Sequence, residues 1–268
     1  MPLAVCATPI GNLEDVTLRV LAELAAADVV LCEDTRHTRV LLERHGIKAR
    51  LLSYHEHNEA QRTAELLPRL EAGESVALVS DAGLPGVSDP GARLVRAALD
   101  AGVEVTVLPG PSAVETALVA SGLMAEQYRF LGFLPRGEKK LATVWNELRG
   151  WPWPAVAFES PQRLPATLLS LAAADPAREV AVCRELTKRF EEVARGTPAE
   201  LADRFGAPPK GEITLVLGPG VARDDGSEEA ALVAVAELVA AGVPRRRAAE
   251  IVSGLVDIPR NRLYKRSL

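Results

Sequence analysis

Aromatic residues make up only 4% of this chain, so valine, leucine and alanine must fill its interior. Such a composition suits strands covered on both faces by helices. Cysteine is equally sparse. Cys6, Cys32 and Cys183 each lie in or beside an apolar run, with no C-x-x-C pair and no metal-ligand spacing. That pattern excludes a disulfide framework and a zinc module, and predicts reduced core residues. No apolar run approaches the roughly eighteen residues of a membrane span. Met1-Pro2-Leu3-Ala4 does not open a basic and then apolar leader, so a cytoplasmic protein is expected. The common phosphate-binding fingerprints are also missing. No strand-like run leads into G-x-G-x-x-G, while Gly86 to Arg93 and Gly206 to Gly211 lack the Lys-Ser/Thr of a P-loop.

What is present is an alternation of short apolar runs and amphipathic stretches. Among the 268 residues, 48% are hydrophobic, ample for one large or two ordinary domains. Runs at 3–7, 28–32, 50–54, 76–80 and 104–108, separated by helical patterns, predict a parallel, doubly wound sheet. A helix over 112–121 follows. Further strands are expected at 128–131, 155–159, 179–184 and 212–217, at less regular spacing, forming a mixed sheet. Gly218-Pro219-Gly220 and Asp224-Asp225-Gly226 read as a linker. Beyond them lie three short helical patterns, broken at Gly242-Val243-Pro244 and Ile258-Pro259, with Pro259 expected as a first helical residue. The expected organisation is an N-terminal α/β domain over 1–110, a second α/β domain over 111–220 and a helix-turn-helix-like tail over 225–268.

The polar residues concentrate where the strands end. Glu33-Asp34-Thr35-Arg36-His37-Thr38 follows the second run, and His55-Glu56-His57 follows the third. The two histidines read as a polar loop, since no third ligand at metal-site spacing accompanies them. The fourth run opens into Asp81-Ala82-Gly83-Leu84-Pro85-Gly86-Val87-Ser88-Asp89-Pro90-Gly91, a turn that lets backbone approach a ligand. Its carboxylates would repel phosphate and suit hydroxyls or a cation. The fifth opens into Pro109-Gly110-Pro111-Ser112-Ala113, with the Ser112 hydroxyl placed to cap the next helix. Neighbouring strand ends of this kind form a ligand crevice.

Acidic residues outnumber basic ones, 36 against 31, for a net charge of −5. That balance alone argues against nucleic acid. The distribution does not: from Val243 onward, Arg245, Arg246, Arg247, Arg260, Arg262, Lys265 and Arg266 face only Glu250 and Asp257, a net +5 on a body of −10. A basic tail on an acidic body is expected where one end meets a polyanion.

Six blocks in order carry a resemblance: Thr8-Pro9-Ile10-Gly11-Asn12-Leu13, Glu33 to Thr38, Ser80-Asp81-Ala82-Gly83, Ser88-Asp89-Pro90-Gly91, Pro109 to Ala113 and Arg184-Glu185-Leu186-Thr187-Lys188. Together they are similar to the ribosomal RNA small subunit methyltransferase I family, within the tetrapyrrole methylase superfamily. The resemblance implies a two-domain class III methyltransferase, usually a homodimer. It implies S-adenosylmethionine in the cleft between domains and 2′-O-methylation of the ribose of cytidine 1402 in 16S ribosomal RNA of the small subunit. By the same resemblance the cofactor would face Pro9, Asp81, Ala82, Gly83, Leu84, Ser112, Ala113, Phe158, Leu186 and Ile213 or Thr214. Leu84 stands where many members have threonine, which removes a hydroxyl contact and leaves a backbone one.

Methyl transfer from a sulfonium is an in-line displacement, so positioning in a dry cleft supplies much of the rate. The ribose hydroxyl must also lose a proton. Asp34, His37 and Glu185 are the expected bases, with Glu33, Lys188 and Glu212 behind them. Arg36, Arg184, Lys188 and Lys210 are expected to hold RNA phosphates, as are Arg245, Arg246 and Arg247 of the tail. Arg36 and Arg184 could instead pair with Glu33 and Glu185. Two rival readings stay open at this level: a methylase of a tetrapyrrole or other small-molecule or protein acceptor, and a non-catalytic RNA-binding assembly factor. The basic tail favours RNA over a small acceptor.

Overall fold

The computed structural model describes residues 2–86, 89–220, 228–256 and 258–268. Val87 and Ser88 of the glycine-rich turn, the Asp224-Asp225-Gly226 linker and Asp257 lie outside the described residues. No described helix is long and apolar enough to cross a membrane.

Five short strands alternate with helices: β1 (Leu3–Cys6), α1 (Leu18–Ala26), β2 (Val29–Cys32), α2 (Thr35–Arg44), β3 (Leu51–Ser53), α3 (Glu59–Glu71), β4 (Val76–Val79), α4 (Ala92–Asp100) and β5 (Val105–Leu108). They form one sheet in the order β3-β2-β4-β1-β5, every pairing parallel. The runs LAVC, VVLC and VALV of β1, β2 and β4 are buried throughout. Uninterrupted apolar runs of this kind occur where helices cover both faces of a parallel sheet. Separate clusters on the two faces bear this out, one around Leu31, Leu66 and Leu94, the other around Val20, Leu24 and Leu42. Connections leaving the adjacent strands β1 and β4 run to opposite sides of the sheet, so their carboxyl ends flank a crevice.

Helix α5 (Ala113–Ser121) leads into the second sheet, built from β6 (Arg129–Phe133), β7 (Ala155–Glu159), β8 (Val180–Arg184), β9 (Glu192–Gly196) and β10 (Ile213–Leu217), with α6 (Glu138–Arg149), α7 (Leu164–Ala174) and α8 (Pro198–Arg204) between them. The order is β6-β7-β10-β8-β9. Only β6 and β7 run parallel; the other pairings are antiparallel, as a mixed sheet requires. The sequence reading missed β9. That edge strand, EVARG, carries two charges and has one buried residue, so no apolar run marks it. Pairing with β8 holds it, and Arg195 donates from it to the Ser121 carbonyl at 2.7 Å. Val114, Ala117 and Leu118 of α5 pack on Val156, Ala181 and Val216 of this sheet together with Ile10 from the β1 loop, so one cluster joins the two sheets.

Gly218 and Gly220, expected as linker, are bound into the second sheet's end: their amides donate to Glu179 and Trp151 carbonyls at 2.8 Å each. Arg178 is 2% exposed. It donates to Asp175 at 2.7 Å, the Gly218 carbonyl at 2.9 Å and the Leu148 carbonyl at 2.7 Å, and so ties three segments.

The tail consists of α9 (Glu228–Ala240), α10 (Arg245–Ser253) and α11 (Arg260–Arg266), around a small core of its own including Val235, Ala248, Val252 and Leu263. Pro259 caps α11 instead of opening it, one residue from the expected place. Glu228 accepts from Arg262 at 2.7 Å and Arg266 at 2.8 Å.

Candidate functional site

The loops at the carboxyl ends of β1, β4 and β5 face the second sheet. Thr8 and Gly83 exchange backbone hydrogen bonds at 2.9 and 3.1 Å, and the Thr8 hydroxyl donates to the Ser80 carbonyl at 2.9 Å. The glycine-rich turn is thereby fixed to the β1 loop. Gly83 has φ 78°, open to glycine without strain. Gly110 answers a different demand: a Cβ there would meet the Ala7 Cβ at 2.8 Å, so only glycine lets the β5 turn lie this close to β1.

A cavity of about 710 Å³ opens between the two sheets, within the range of small-molecule sites, roughly 300–1,000 Å³. The first sheet contributes Ile10, Asp81 to Leu84, Asp89 and Pro109 to Ala113; the second contributes Phe130, Phe133, Phe158, Leu186 and Gly211 to Thr214. A smaller cavity of about 190 Å³ adjoins it and shares Ile10, Asp81, Ala82 and Glu212. Pro9, His37 and Lys188 line that smaller one.

Burial and neighbouring charge set the acidity of the carboxylates here. Desolvation, with Glu33 and Asp81 nearby, pushes Asp89 up to about 6. Burial likewise raises Glu33, with Asp81 adding to the effect. Asp34 behaves oppositely. It caps α2, accepting from the Arg36 amide at 2.8 Å and chelating the Arg36 guanidinium at 3.0 and 2.6 Å, which holds its carboxyl far below the usual range. Glu185 accepts from Lys188 at 2.9 Å and from the Glu212 amide at 3.0 Å; the Lys188 hydrogen bond keeps it low.

Glu185 has φ 52° and Thr187 φ 65°, the two described non-glycine residues in left-handed backbone. Strain of this kind gathers at ligand sites. The Asn12 amide reaches this strained turn, donating to the Thr187 hydroxyl at 2.9 Å.

The sequence profile of the Tetrapyrrole (Corrin/Porphyrin) Methylases matches residues 2–202. A Mesorhizobium japonicum protein named Ribosomal RNA small subunit methyltransferase I is 46% identical over 269 residues, covering 99% of this chain and 91% of that one. A Thermotoga maritima protein of the same name is 45% identical over 216 residues, or 80% of this chain and 97% of its own. The chain belongs to the ribosomal RNA small subunit methyltransferase I family. Among solved structures, uroporphyrin-III C-methyl transferase from Thermus thermophilus, complexed with S-adenyl homocysteine, superposes with a TM-score of 0.58 at 19% identity, over 82% of this chain and 98% of that one. At that identity the likeness speaks for the fold.

In this member of the methyltransferase I family, Asp81, Ala82, Gly83, Leu84, Ser112, Ala113, Phe158, Leu186 and Thr214 all line the larger cavity, and Pro9 the smaller. The Ser112 hydroxyl does not cap α5. It donates to the Glu115 carboxylate, which also accepts from Tyr128. Neither Asp34 nor Glu185 lines either of these two cavities. Arg36 pairs with Asp34, and Arg184 with Glu192 at 2.9 Å, rather than with Glu33 and Glu185, the carboxylates of the alternative reading. Lys188 is held between Glu185 and Glu212, whereas Lys210 is exposed. Arg245 donates to the Ser267 carbonyl at 2.5 Å and Arg247 pairs with Glu250 at 2.9 Å, leaving Arg246 exposed.

Sequence reasoning missed Ile10, Glu115, Tyr128, Phe130, Phe133 and Glu159 as cavity residues, and read Asp89 only as a turn carboxylate suited to hydroxyls or a cation. The aromatic residues had no sequence signal, since strand patterns do not reveal which sheet face meets a neighbour.

Proposed function

We propose that this chain methylates the ribose 2′-hydroxyl of cytidine 1402 in 16S ribosomal RNA, within the cavity between its two sheets. S-adenosylmethionine, when bound, supplies the methyl group as a sulfonium. The residues present suit it. The turn at Gly110 leaves no room for a Cβ and presents the first free amides of α5, which attract carboxylate or ring nitrogen acceptors. Asp81 offers a carboxylate to hydroxyls, and Phe158 and Leu186 an apolar wall. The single observation that carries the reading is this cavity's combination of open amides, carboxylates and apolar wall, in a chain of this family.

In this reading residues 1–110 and 111–220 are the two halves of the cleft, and 225–268 is a unit that faces RNA. The chain acts as a cytoplasmic homodimer. Asp89 takes the proton. Among the cavity carboxylates its acidity is shifted to about 6, close to the value that balances proton affinity against availability near neutrality. Asp34 and Glu185, held ionised by cations, are poor acceptors; they position Arg36 and Lys188. His37 lines the smaller cavity, as do Asp81 and Lys188, and suits a contact to the sugar-phosphate.

Transfer of a labelled methyl group to small ribosomal subunits from cells lacking this protein tests the reading, with the product mapped by nuclease digestion and mass spectrometry. A 2′-O-methylcytidine at one site is expected. No label in RNA, alongside measurable adenosylmethionine binding, would move the acceptor to a small molecule or protein.

A further inference from the structure

Strand β6 contains an irregularity that changes what its end can do. In a regular strand, residues three apart point to opposite faces. Phe130 pairs opposite Val156, yet Phe133 pairs opposite Phe158, so three steps on β6 span two on β7. Gly132 has φ 65° and takes up the extra residue. A bulge of this kind re-aims a side chain. Its consequence here is that Phe130 and Phe133 both line the large cavity, with ring centroids 5.1 and 5.4 Å from that of Phe158. Phe130 is half-buried, but Phe133 remains 64% exposed. The strand's exit is held firmly: the Leu134 amide donates to the Phe158 carbonyl at 3.1 Å, and Arg163 donates to the Leu134 carbonyl at 3.0 Å.

The next residues are basic. Arg136, Lys139 and Lys140 are all exposed, and no hydrogen bond or ion pair holds their side-chain charges among the described residues. This sets them apart from Arg36, Arg184 and Lys188, whose charges already have carboxylate partners. A cation with a carboxylate partner must give it up to meet a phosphate; a free one need not. An exposed aromatic ring followed closely by free cations is the arrangement that binds unpaired nucleotides, the ring stacking on a base and the cations meeting phosphates.

We propose that Phe133 is a stacking platform for the base of the acceptor nucleotide, and that Arg136, Lys139 and Lys140 hold the phosphates flanking it. The inference rests on the RNA-methylation reading above and extends it: the substrate enters unpaired, its base lifted out of the helical stack. Duplex RNA cannot present a base to a ring set at a cavity mouth.

The test uses the full chain and small subunits from cells lacking it, with Phe133→Ala, Phe133→Tyr and a combined Arg136→Ala, Lys139→Ala, Lys140→Ala variant. KM for the subunit, adenosylmethionine affinity, and binding of an unpaired RNA oligonucleotide and its duplex are measured. Phe133→Ala should raise KM and weaken unpaired RNA binding by about 10-fold or more, with cofactor affinity unchanged and duplex binding little affected. Phe133→Tyr, which keeps the ring, should restore both. The triple variant should weaken RNA binding and flatten its salt dependence. Unchanged KM and RNA binding in Phe133→Ala would overturn the proposal. So would a loss confined to adenosylmethionine, which would place the ring on the cofactor. RNA binding that depends on Phe133, without methyl transfer by the wild type, would retain the platform and overturn the methylation reading.

Discussion

The backbone amide of Asn12 donates to the Thr187 hydroxyl at 2.9 Å, joining residues 175 positions apart. This bond seats the loop after β1 against the strained turn after β8. Beside it, a Cβ on Gly11 would meet the Lys188 Cγ at 2.6 Å, the Thr187 hydroxyl at 2.7 Å and the Leu186 carbonyl at 2.8 Å. These two loops therefore meet with no spare room at Gly11.

Gly11→Ala should push these loops apart. Overpacking against backbone costs roughly 1–3 kcal/mol, so adenosylmethionine affinity should fall by about 10-fold, measured by calorimetry, while the far-ultraviolet spectrum is retained. Wild-type affinity in this variant would show that the contact has no bearing on the cavity.

Asp89 gives two pH signatures. Unfolded, its carboxyl titrates near 3.8; folded, near 6. Well below pH 3.8 it is protonated in both states. As pH rises through 6 the folded state must ionise a buried group that the unfolded chain ionised already, so the stability linked to this group is lost across that window. Asp89→Asn should remove that slope from denaturant midpoints measured between pH 4 and 7. As the proton acceptor, it should also make kcat/KM rise with pH about a midpoint near 6, and Asp89→Asn should lower kcat by roughly 10²- to 10⁴-fold. A pH profile unaltered in Asp89→Asn would assign the base elsewhere, with His37 next to be tested.

Arg178 should matter to stability alone. Its removal takes the guanidinium donor from Asp175, the Gly218 carbonyl and the Leu148 carbonyl, of which Leu148 keeps the Trp151 amide; breaking a buried charged network typically costs about 3–5 kcal/mol. Arg178→Ala should lower the thermal midpoint by several degrees, and Arg178→Lys should recover only part, since one ammonium cannot span three acceptors. A variant as stable as the wild type would contradict this.

In the tail, replacing Arg245, Arg246 and Arg247 together should weaken RNA binding and flatten its salt dependence without altering cofactor affinity. The structure divides the effect. Arg246→Ala alone should reduce the salt slope by about one, whereas Arg245→Ala should chiefly destabilise the tail, because its guanidinium holds the Ser267 carbonyl. Equal salt slopes for the wild type and Arg246→Ala would contradict this.

The strand runs of the first sheet could be read directly, because burial on both faces forces apolar residues at every position of VVLC and VALV. The turns after them were legible for a related reason: glycine and proline accumulate where backbone must bend or approach closely, as at Gly83 and Gly110. The charge of the tail was also written in the sequence. Edge strand β9 was not, since pairing with β8 rather than its own hydrophobicity makes it a strand.

Which charges remain free was decided by tertiary structure alone. Sequence places Arg184 and Lys188 at strand ends, but only the folded chain brings Glu192 and Glu212 within reach of them. The same holds for Asp89, whose acidity depends on burial and on Glu33, a residue distant in sequence. Phe133 shows it most plainly: alternation along β6 would turn it away from Phe130, and the bulge at Gly132, a feature of pairing with β7, turns it into the cavity. Composition and periodicity are local properties and determine the elements and their buried faces; ion pairing, acidity and the aim of a side chain depend on what other segments bring to the same place.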